Sequence, residues 1–152
     1  MAIGALLFSF HGRVSRMPYW LVSLAMLFAG GLVVALVAAG GFLQSAAPLL
    51  ILLVPFIWIG MALGAKRLHD RNKSAWWLVV FYVLPGIMEA IGGLAGDAEI
   101  AFLIASFGLS IWAVVELGFR RGTIGPNDYG PDPLAGARAL VRGAAGSTAG
   151  DV

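Results

Sequence analysis

The polar residues that could do chemistry fall into three short stretches of this 152-residue chain, at 10–20, 66–77 and 125–133. Together the stretches hold seven residues that form the candidate site: Arg13, Arg16, Arg67, His69, Asp70, Asn127 and Asp132. Arginine guanidinium groups bind phosphate oxygens through paired hydrogen bonds. Basic pockets beside membrane helices bind anionic lipid headgroups. If the stretches converge, the seven residues form one polar cluster that could bind a lipid phosphate.

A purely structural arrangement would use the same residues. Arg13 and Arg67 would pair with Asp70 and Asp132 and tie the three stretches together. The histidine and the asparagine of the cluster would then hydrogen-bond free carbonyl groups at turns. A phosphate site and a loop clamp are therefore both open on the sequence alone.

Catalysis and metal binding have little support in these residues. His69 beside Asp70 could suggest a general base oriented by a carboxylate, but neighbours on a turn rarely face each other in that role. The chain has no GxSxG, no HExxH, no P-loop and no glycine-rich dinucleotide motif. It has no cysteine and two histidines, which excludes thiolate and multi-histidine metal sites. We predict that the protein is not an enzyme and holds no metal or cofactor.

Two carboxylates interrupt apolar stretches of the sequence. Glu116 lies four residues before Arg120, on the same face of a helix, and is expected to form a salt bridge at a membrane interface. Glu89 has no basic residue near it in sequence and follows Pro85, which predicts a kink. A carboxylate within the membrane can be a proton or ion site, so Glu89 suggests a transport role as an alternative.

The elements that position these groups follow from composition and charge spacing. Apolar residues make up 60% and charged residues 12% of the chain, which excludes an ordinary soluble domain and a disordered one. Residues 17–65 contain no charged side chain, enough for two membrane spans and a turn around residues 40–48. We predict an all-α membrane protein, a bundle of four transmembrane helices near residues 19–39, 48–66, 75–95 and 99–119.

The distribution of charge predicts the orientation of the bundle. All ten Lys and Arg lie before the first helix, between the second and third, or after the fourth. The opposite loops carry Asp97 and Glu99. Because Lys and Arg mark the cytoplasmic side, we expect both termini in the cytoplasm. The excess of basic residues then complements the charge of anionic lipid headgroups, and we predict no nucleic-acid partner.

The chain ends and the small residues complete the predicted organisation. Residues 1–134 are expected to form the transmembrane domain, with Ile3–Phe10 lying on the membrane surface. Residues 135–152 are expected to form a flexible cytoplasmic tail, with a short surface helix carrying Arg138 and Arg142 as the alternative. The motifs at Gly60 and Gly64, and at 92–96, indicate close helix packing within one bundle, with homo-oligomerisation the alternative.

The three polar stretches together resemble the YhaH-like family of small bacterial inner-membrane proteins, known as domain of unknown function 805. The family pattern has an FxGRxxRxxYW opening, an RLHDxxxSxWW loop and a GxNxYGPDP-like ending. The matching residues are Phe10, Gly12, Arg13, Arg16, Tyr19, Trp20, Arg67, Leu68, His69, Asp70, Ser74, Trp76, Trp77, Gly125, Asn127, Tyr129, Gly130, Pro131, Asp132 and Pro133. The resemblance implies placement in the bacterial inner membrane, and it implies no activity, substrate or catalytic residue.

The sequence therefore predicts a multi-pass inner-membrane protein with membrane lipids, anionic phospholipid among them, as partners. Its expected role is structural or lipid-associated and depends on the polar cluster. The alternative is a small transporter, or an accessory subunit of one, that uses Glu89.

Overall fold

The computed structural model of the protein describes residues 3–40 and 46–148. A short helix, α1 (Ile3–Phe8), precedes the long helices α2 (Arg16–Ala39) and α3 (Ala46–Asp70). A π-helical turn, Val79–Val83, leads into α4 (Leu84–Gly92). A 3-10 turn, Gly96–Ala98, precedes α5 (Glu99–Val114), which ends in a second π-helical turn, Val115–Phe119. The last helix is α6 (Ala135–Thr148). The described part of the chain holds no β-strand, and the predicted all-α class is confirmed.

Three helical stretches are long and apolar enough to cross a membrane: Arg16–Ala39, Ile51–Asp70 and Gly96–Phe119. The fourth predicted span, 75–95, corresponds to the shorter apolar helix Val79–Gly92. Large apolar side chains cover the outside of the helices, as at Phe28, which is 76% exposed. Such a surface is stable in lipid, which solvates apolar side chains, and not in water.

Pro85 lies in the first turn of α4, directly after the Val79–Val83 turn. A proline removes one helical hydrogen bond, and a π-helical turn is one of the local adjustments that accommodate this loss. The chain then turns back at residues 93–98, so that α4 packs along α5. At Gly92 a β-carbon would lie 2.9 Å from Cβ of Phe102, so this glycine allows the two helices to approach closely.

Two predicted segments differ from the structure or lie partly outside it. Of the predicted turn residues, Gly41, Gln44 and Ser45 fall outside the described residues. The expected flexible tail instead contains α6 over residues 135–148, and residues 149–152 are not described. The alanine-rich sequence favours a helix, and the Asp132 side chain accepts the N–H of Leu134 just before its start, at 2.9 Å.

The buried core lies at one end of the long helices. It is built from Ala65, Leu68, Leu78, Phe81, Ala113 and Leu117. Trp77 and Phe81 both pack edge-on or nearly so against Trp112, with ring centroids 5.6 Å and 5.2 Å away. We call this end the basic end, because α2 begins there at Arg16 and the last turn of α3 there contains Arg67.

Candidate functional site

Arg67 lies in the last turn of α3 and is fully buried. Its Nε donates a hydrogen bond to the carbonyl of Leu117 at 2.6 Å. One terminal nitrogen lies 2.5 Å from Oδ2 of Asp70, one helical turn further on, and the other donates to the carbonyl of Arg120. The side chain thus ties the end of α3 to the end of the fourth apolar run.

Arg13 reaches the same carboxylate from the segment before α2. Its Nε donates to Oδ1 of Asp70 at 3.1 Å. Its terminal nitrogens donate to the carbonyls of Thr123, Gly125 and Gly130 at 2.6, 2.7 and 3.2 Å. We call Arg13, Arg67 and Asp70 the clamp, since the carboxylate holds one guanidinium on each oxygen. All three residues are buried, and the nitrogens of both guanidinium groups already have partners.

The backbone around Asp70 secures the third polar stretch. The N–H and the hydroxyl of Thr123 both donate to the Asp70 carbonyl, at 2.8 and 3.0 Å. Gly122 lies against the Asp70 carboxylate, where a β-carbon would overlap it. A glycine is therefore required here for the chain to pass the clamp.

His69 and Asn127 also contact turn carbonyls. The Asn127 side-chain amide donates to the carbonyl of His69 and to the Thr123 hydroxyl, both at 2.8 Å. Nδ1 of His69 lies 3.3 Å from the carbonyl of Gly12, where it acts as a donor. The imidazole stacks on the Tyr129 ring with centroids 4.0 Å apart and the planes 5° from parallel. Both side chains thus fasten the C-terminal segment to the end of α3.

Arg16 and Asp132 lie at the margin of the clamp. Asp132 accepts the N–H groups of Leu134 and Gly125 and pairs with Arg138. The backbone hydrogen bond from Leu134 is the largest cause that lowers the pKa of the Asp132 carboxyl from its usual value, and the hydrogen bond from Gly125 and the charges of nearby arginines act in the same direction. Arg16 is exposed and donates to the carbonyl of Phe119 at 3.3 Å. Of the seven predicted residues, the structure thus brings five together at the end of α3: Arg13, Arg67, His69, Asp70 and Asn127. Asp132 lies at the margin, and Arg16 faces outward.

Glu116 forms a second buried ionic group in the Val115–Phe119 turn. Its carboxylate is fully buried and lies 3.5 Å from Arg120, the partner expected from sequence. Arg71 and Lys73, from the loop after α3, pair with the other oxygen, Lys73 at 2.6 Å. The Lys73 ammonium also lies 4.8 Å from the centre of the Trp77 ring. Three cations around one carboxylate leave this end of the protein with a net positive charge.

Glu89 lies on α4, far from the clamp. Ser106 of α5, which is buried, donates its hydroxyl hydrogen to Oε1 of Glu89 at 2.7 Å. The pair joins the two helices of the α4–α5 hairpin. A polar side chain in an apolar helix needs a hydrogen-bond partner, and the hydroxyl on the neighbouring helix supplies one.

Lys66 is fully buried next to the clamp. Its ammonium donates to the carbonyls of Ala5, at 3.0 Å, and Leu6 in α1. A cation near the C-terminal carbonyls of a helix is stabilised by the unsatisfied oxygens there. Lys66 therefore attaches α1 to α3.

The exposed arginines gather beside two aromatic rings. Trp20 donates its indole N–H to the carbonyl of Gly118 at 3.1 Å and packs edge-on against Phe119. Arg16 donates to the carbonyl of Phe119, Arg120 and Arg121 follow Phe119 in the chain, and all three arginines are exposed. We call the five residues the rim patch: Arg16, Trp20, Phe119, Arg120 and Arg121. Among the described residues no carboxylate pairs with Arg16 or Arg121.

Several contributors to the site were not identified from sequence. Lys66, Arg71 and Lys73 contributed to the prediction only through the distribution of positive charge. A lysine in an apolar helix, such as Lys66, is nevertheless a signal of a specific contact. Gly122 and Thr123 carried no signal, since their role depends on where Asp70 lies. The described residues hold no group of His, Asp or Glu side chains arranged to bind a metal ion.

The sequence of the chain is similar to one protein family and to several bacterial proteins. A family model described as "Protein of unknown function (DUF805)" matches residues 7–131. The uncharacterized protein YiiR of Escherichia coli K12 is 34% identical over 138 residues, covering 87% of this chain and 90% of that protein. The inner membrane protein YhaH of the same strain is 31% identical, covering 82% and 86%. The inner membrane protein YhaI is 29% identical, covering 84% and 88%. No solved structure matches the chain.

Proposed function

Because the chain belongs to the DUF805 family of proteins of unknown function, which the three sequence motifs had indicated, we propose that it is a multi-pass inner-membrane protein that binds anionic lipid headgroups through its rim patch. The buried clamp is a structural device in this account. Of the seven residues of the predicted polar cluster, Arg16 alone belongs to the rim patch, and Arg120 and Arg121 join it from the segment after the fourth apolar run.

The proposed topology has four crossings with the basic end in the cytoplasm. Val79–Gly92 is about 21 Å long at 1.5 Å per residue, shorter than a bilayer core of about 30 Å. Local thinning of the bilayer and anchoring side chains accommodate a short helix at modest cost. All ten Lys and Arg then lie on segments that reach the same side, as the positive-inside rule requires.

The exposure of the arginines is the observation that carries the lipid proposal. Arg13 is 4% and Arg67 0% exposed, and both are saturated with protein partners, so neither has donors for a phosphate. The Arg120 side chain is 58% exposed, although one nitrogen is near Glu116. Each basic residue near an anionic membrane surface contributes about 1 kcal/mol of attraction. Trp20 beside the arginines is an aromatic anchor at headgroup depth.

The test compares lipid retained by three forms of the protein in nanodiscs that contain equal amounts of phosphatidylglycerol and phosphatidylethanolamine. The forms are the wild type, the triple variant Arg16→Gln/Arg120→Gln/Arg121→Gln, and the matched Arg→Lys triple variant. Native mass spectrometry identifies the lipids that remain bound. We expect phosphatidylglycerol enrichment in the wild type and the Lys variant, and its loss in the Gln variant. Equal enrichment in all three would refute the proposal.

A further inference from the structure

A cleft of about 780 Å³ opens between α3 and the Val79–Val83 turn, outside the clamp and the rim patch. Its size falls in the range of small-molecule and cofactor sites, about 300–1,000 Å³. Its walls are mainly apolar, and their main residues are Ile57, Gly60, Met61, Val79, Tyr82 and Val83. Several wall residues are exposed, including Ile57 at 58% and Val83 at 49%, so the cleft opens sideways to the surface that faces lipid.

Apart from the Tyr82 hydroxyl on the wall, the polar groups of this cleft gather at one end. His69 and Tyr129, stacked on each other, close the end nearest the clamp, and Ser74 lies beside them. Trp76, which is 80% exposed, marks the same level. Indole rings prefer the boundary between hydrocarbon and headgroups. The polar end therefore lies at headgroup depth and the apolar walls lie in the hydrocarbon.

The length of the cleft matches one leaflet of a membrane. From His69 to Ile57 the helix advances about 18 Å at 1.5 Å per residue. Half of a hydrocarbon core of about 30 Å is about 15 Å. A straight apolar chain with its polar end at His69 would end near the bilayer midplane. A transmembrane helix of a partner protein that packed along α3 through the whole bilayer would need a groove about twice this length.

We propose that this cleft is a binding site for one acyl chain of a phospholipid from the leaflet on the side of the basic end, with its polar glycerol region at Ser74 and Tyr129. An apolar protein surface attracts an acyl chain no more strongly than the surrounding lipid does, so apolarity alone does not create a binding site. A concave wall contacts the chain on several sides, and these added dispersion contacts distinguish it from the flat outer surfaces of the helices. The polar end has hydroxyl and imidazole groups, so the site recognises the chain and its ester region and is independent of headgroup charge.

Gly60 offers a direct way to fill the cleft. A β-carbon at Gly60 would meet no atom within 4 Å, although the residue lines the cleft. Leucine at this position would project into the space that the acyl chain occupies without displacing the backbone. Gly108 on α5 is equally open and lies outside the cleft, so Gly108→Leu is the matched control.

The experiment measures, by native mass spectrometry, the phospholipid retained after extraction in mild detergent. We expect the wild type and Gly108→Leu to retain one phosphatidylethanolamine per chain, a lipid that the rim patch does not select, and Gly60→Leu to retain about tenfold less of it, the equivalent of ~1.4 kcal/mol. The Arg16/Arg120/Arg121 Gln variant should still retain a phospholipid, which separates this site from the rim patch. Full retention by Gly60→Leu, or an empty wild type, would overturn the proposal.

A second measurement uses the unaltered protein and does not depend on the folding of a variant. Phosphatidylethanolamine with a diazirine in the middle of one acyl chain is reconstituted with the wild type and photolysed. We expect adducts concentrated at Met61 and Val83. Adducts spread evenly over the exposed face of α2, or cross-links between two copies at the cleft, would contradict an acyl-chain site.

Discussion

Gly122 lies so close to Asp70 that a β-carbon at position 122 would overlap the carboxylate that holds Arg13 and Arg67. We therefore expect Gly122→Ala to open the clamp and to lower the free energy of unfolding by about 1–3 kcal/mol, the usual cost of overpacking. The thermal unfolding midpoint in detergent measures this. Gly136→Ala in α6, where a β-carbon meets nothing within 4 Å, is the control and should not lower the midpoint, since alanine favours a helix. Equal midpoints for both variants would contradict the packing described.

Asp70 is the only carboxylate between the two clamp arginines in the described structure. Asp70→Asn leaves two buried guanidinium groups without a counter-charge, and loss of one partner of a buried pair costs about 3–5 kcal/mol. We expect a large fall in the denaturation midpoint. Asp128→Asn removes an exposed carboxylate that bonds to Asn72 and should change it little. If both variants unfold alike, the clamp does not stabilise the fold.

Lys66 connects α1 to α3 through the carbonyls of Ala5 and Leu6. Lys66→Met retains the aliphatic length and removes the donor, so α1 should detach while the long helices persist. Hydrogen–deuterium exchange should rise over residues 3–8 and stay constant in α5. Unchanged protection of α1 would show that apolar packing alone holds it.

Glu89 and Ser106 should act as a structural pair between α4 and α5. Hydrogen bonds between membrane helices average about 0.6 kcal/mol in double-mutant cycles. We expect a coupling free energy of that size from a cycle of Glu89→Ala and Ser106→Ala. If Glu89 instead carries protons, as the transport alternative requires, Glu89→Gln would abolish proton flux into proteoliposomes that the wild type supports.

The lowered pKa of Asp132 predicts a contact that survives mild acid. An unfolded aspartate has a pKa of about 3.9. Because the folded pKa is lower, the contact of Asp132 with the Leu134 N–H contributes fully above that value and is lost as pH falls through the folded pKa. The Leu134 amide shift in NMR spectra should be constant from pH 5 to 8 and titrate below about 3.9. A midpoint at or above the unfolded value would contradict this.

The sequence predicts the long helices better than it predicts the clamp. Long uncharged runs predict α2, α3 and α5, because crossing the membrane requires length and apolarity. The π-helical turn before Pro85 was not predicted, since several local adjustments accommodate a proline equally well. For residues 135–152 the sequence favours a flexible tail over a short helix, because a segment rich in Gly, Ala and Ser gives weak local signals, and the structure has α6 there.

The sequence predicts which residues form the site but not which of them pair with each other. The motifs identified Arg13, Arg67 and Asp70, but Asp132 was an equal candidate partner until the fold placed it beside Arg138. The Arg67–Asp70 pair is local to one helix, but the Arg13–Asp70 pair joins segments 57 residues apart, and local patterns do not fix such a distance. The partition between buried and exposed arginines, on which the proposed function depends, is likewise a property of the fold.

The most direct test of the rim patch is the change in thermal unfolding midpoint on adding phosphatidylglycerol to the detergent-solubilised protein. A lipid that binds only the folded state raises the free energy of unfolding by RT ln(1 + L/Kd), where L is the free lipid concentration. The wild type should be stabilised by phosphatidylglycerol and not by phosphatidylcholine, and the Arg16/Arg120/Arg121 Gln variant should lose this difference. An equal rise in the Gln variant would contradict headgroup binding at the rim patch.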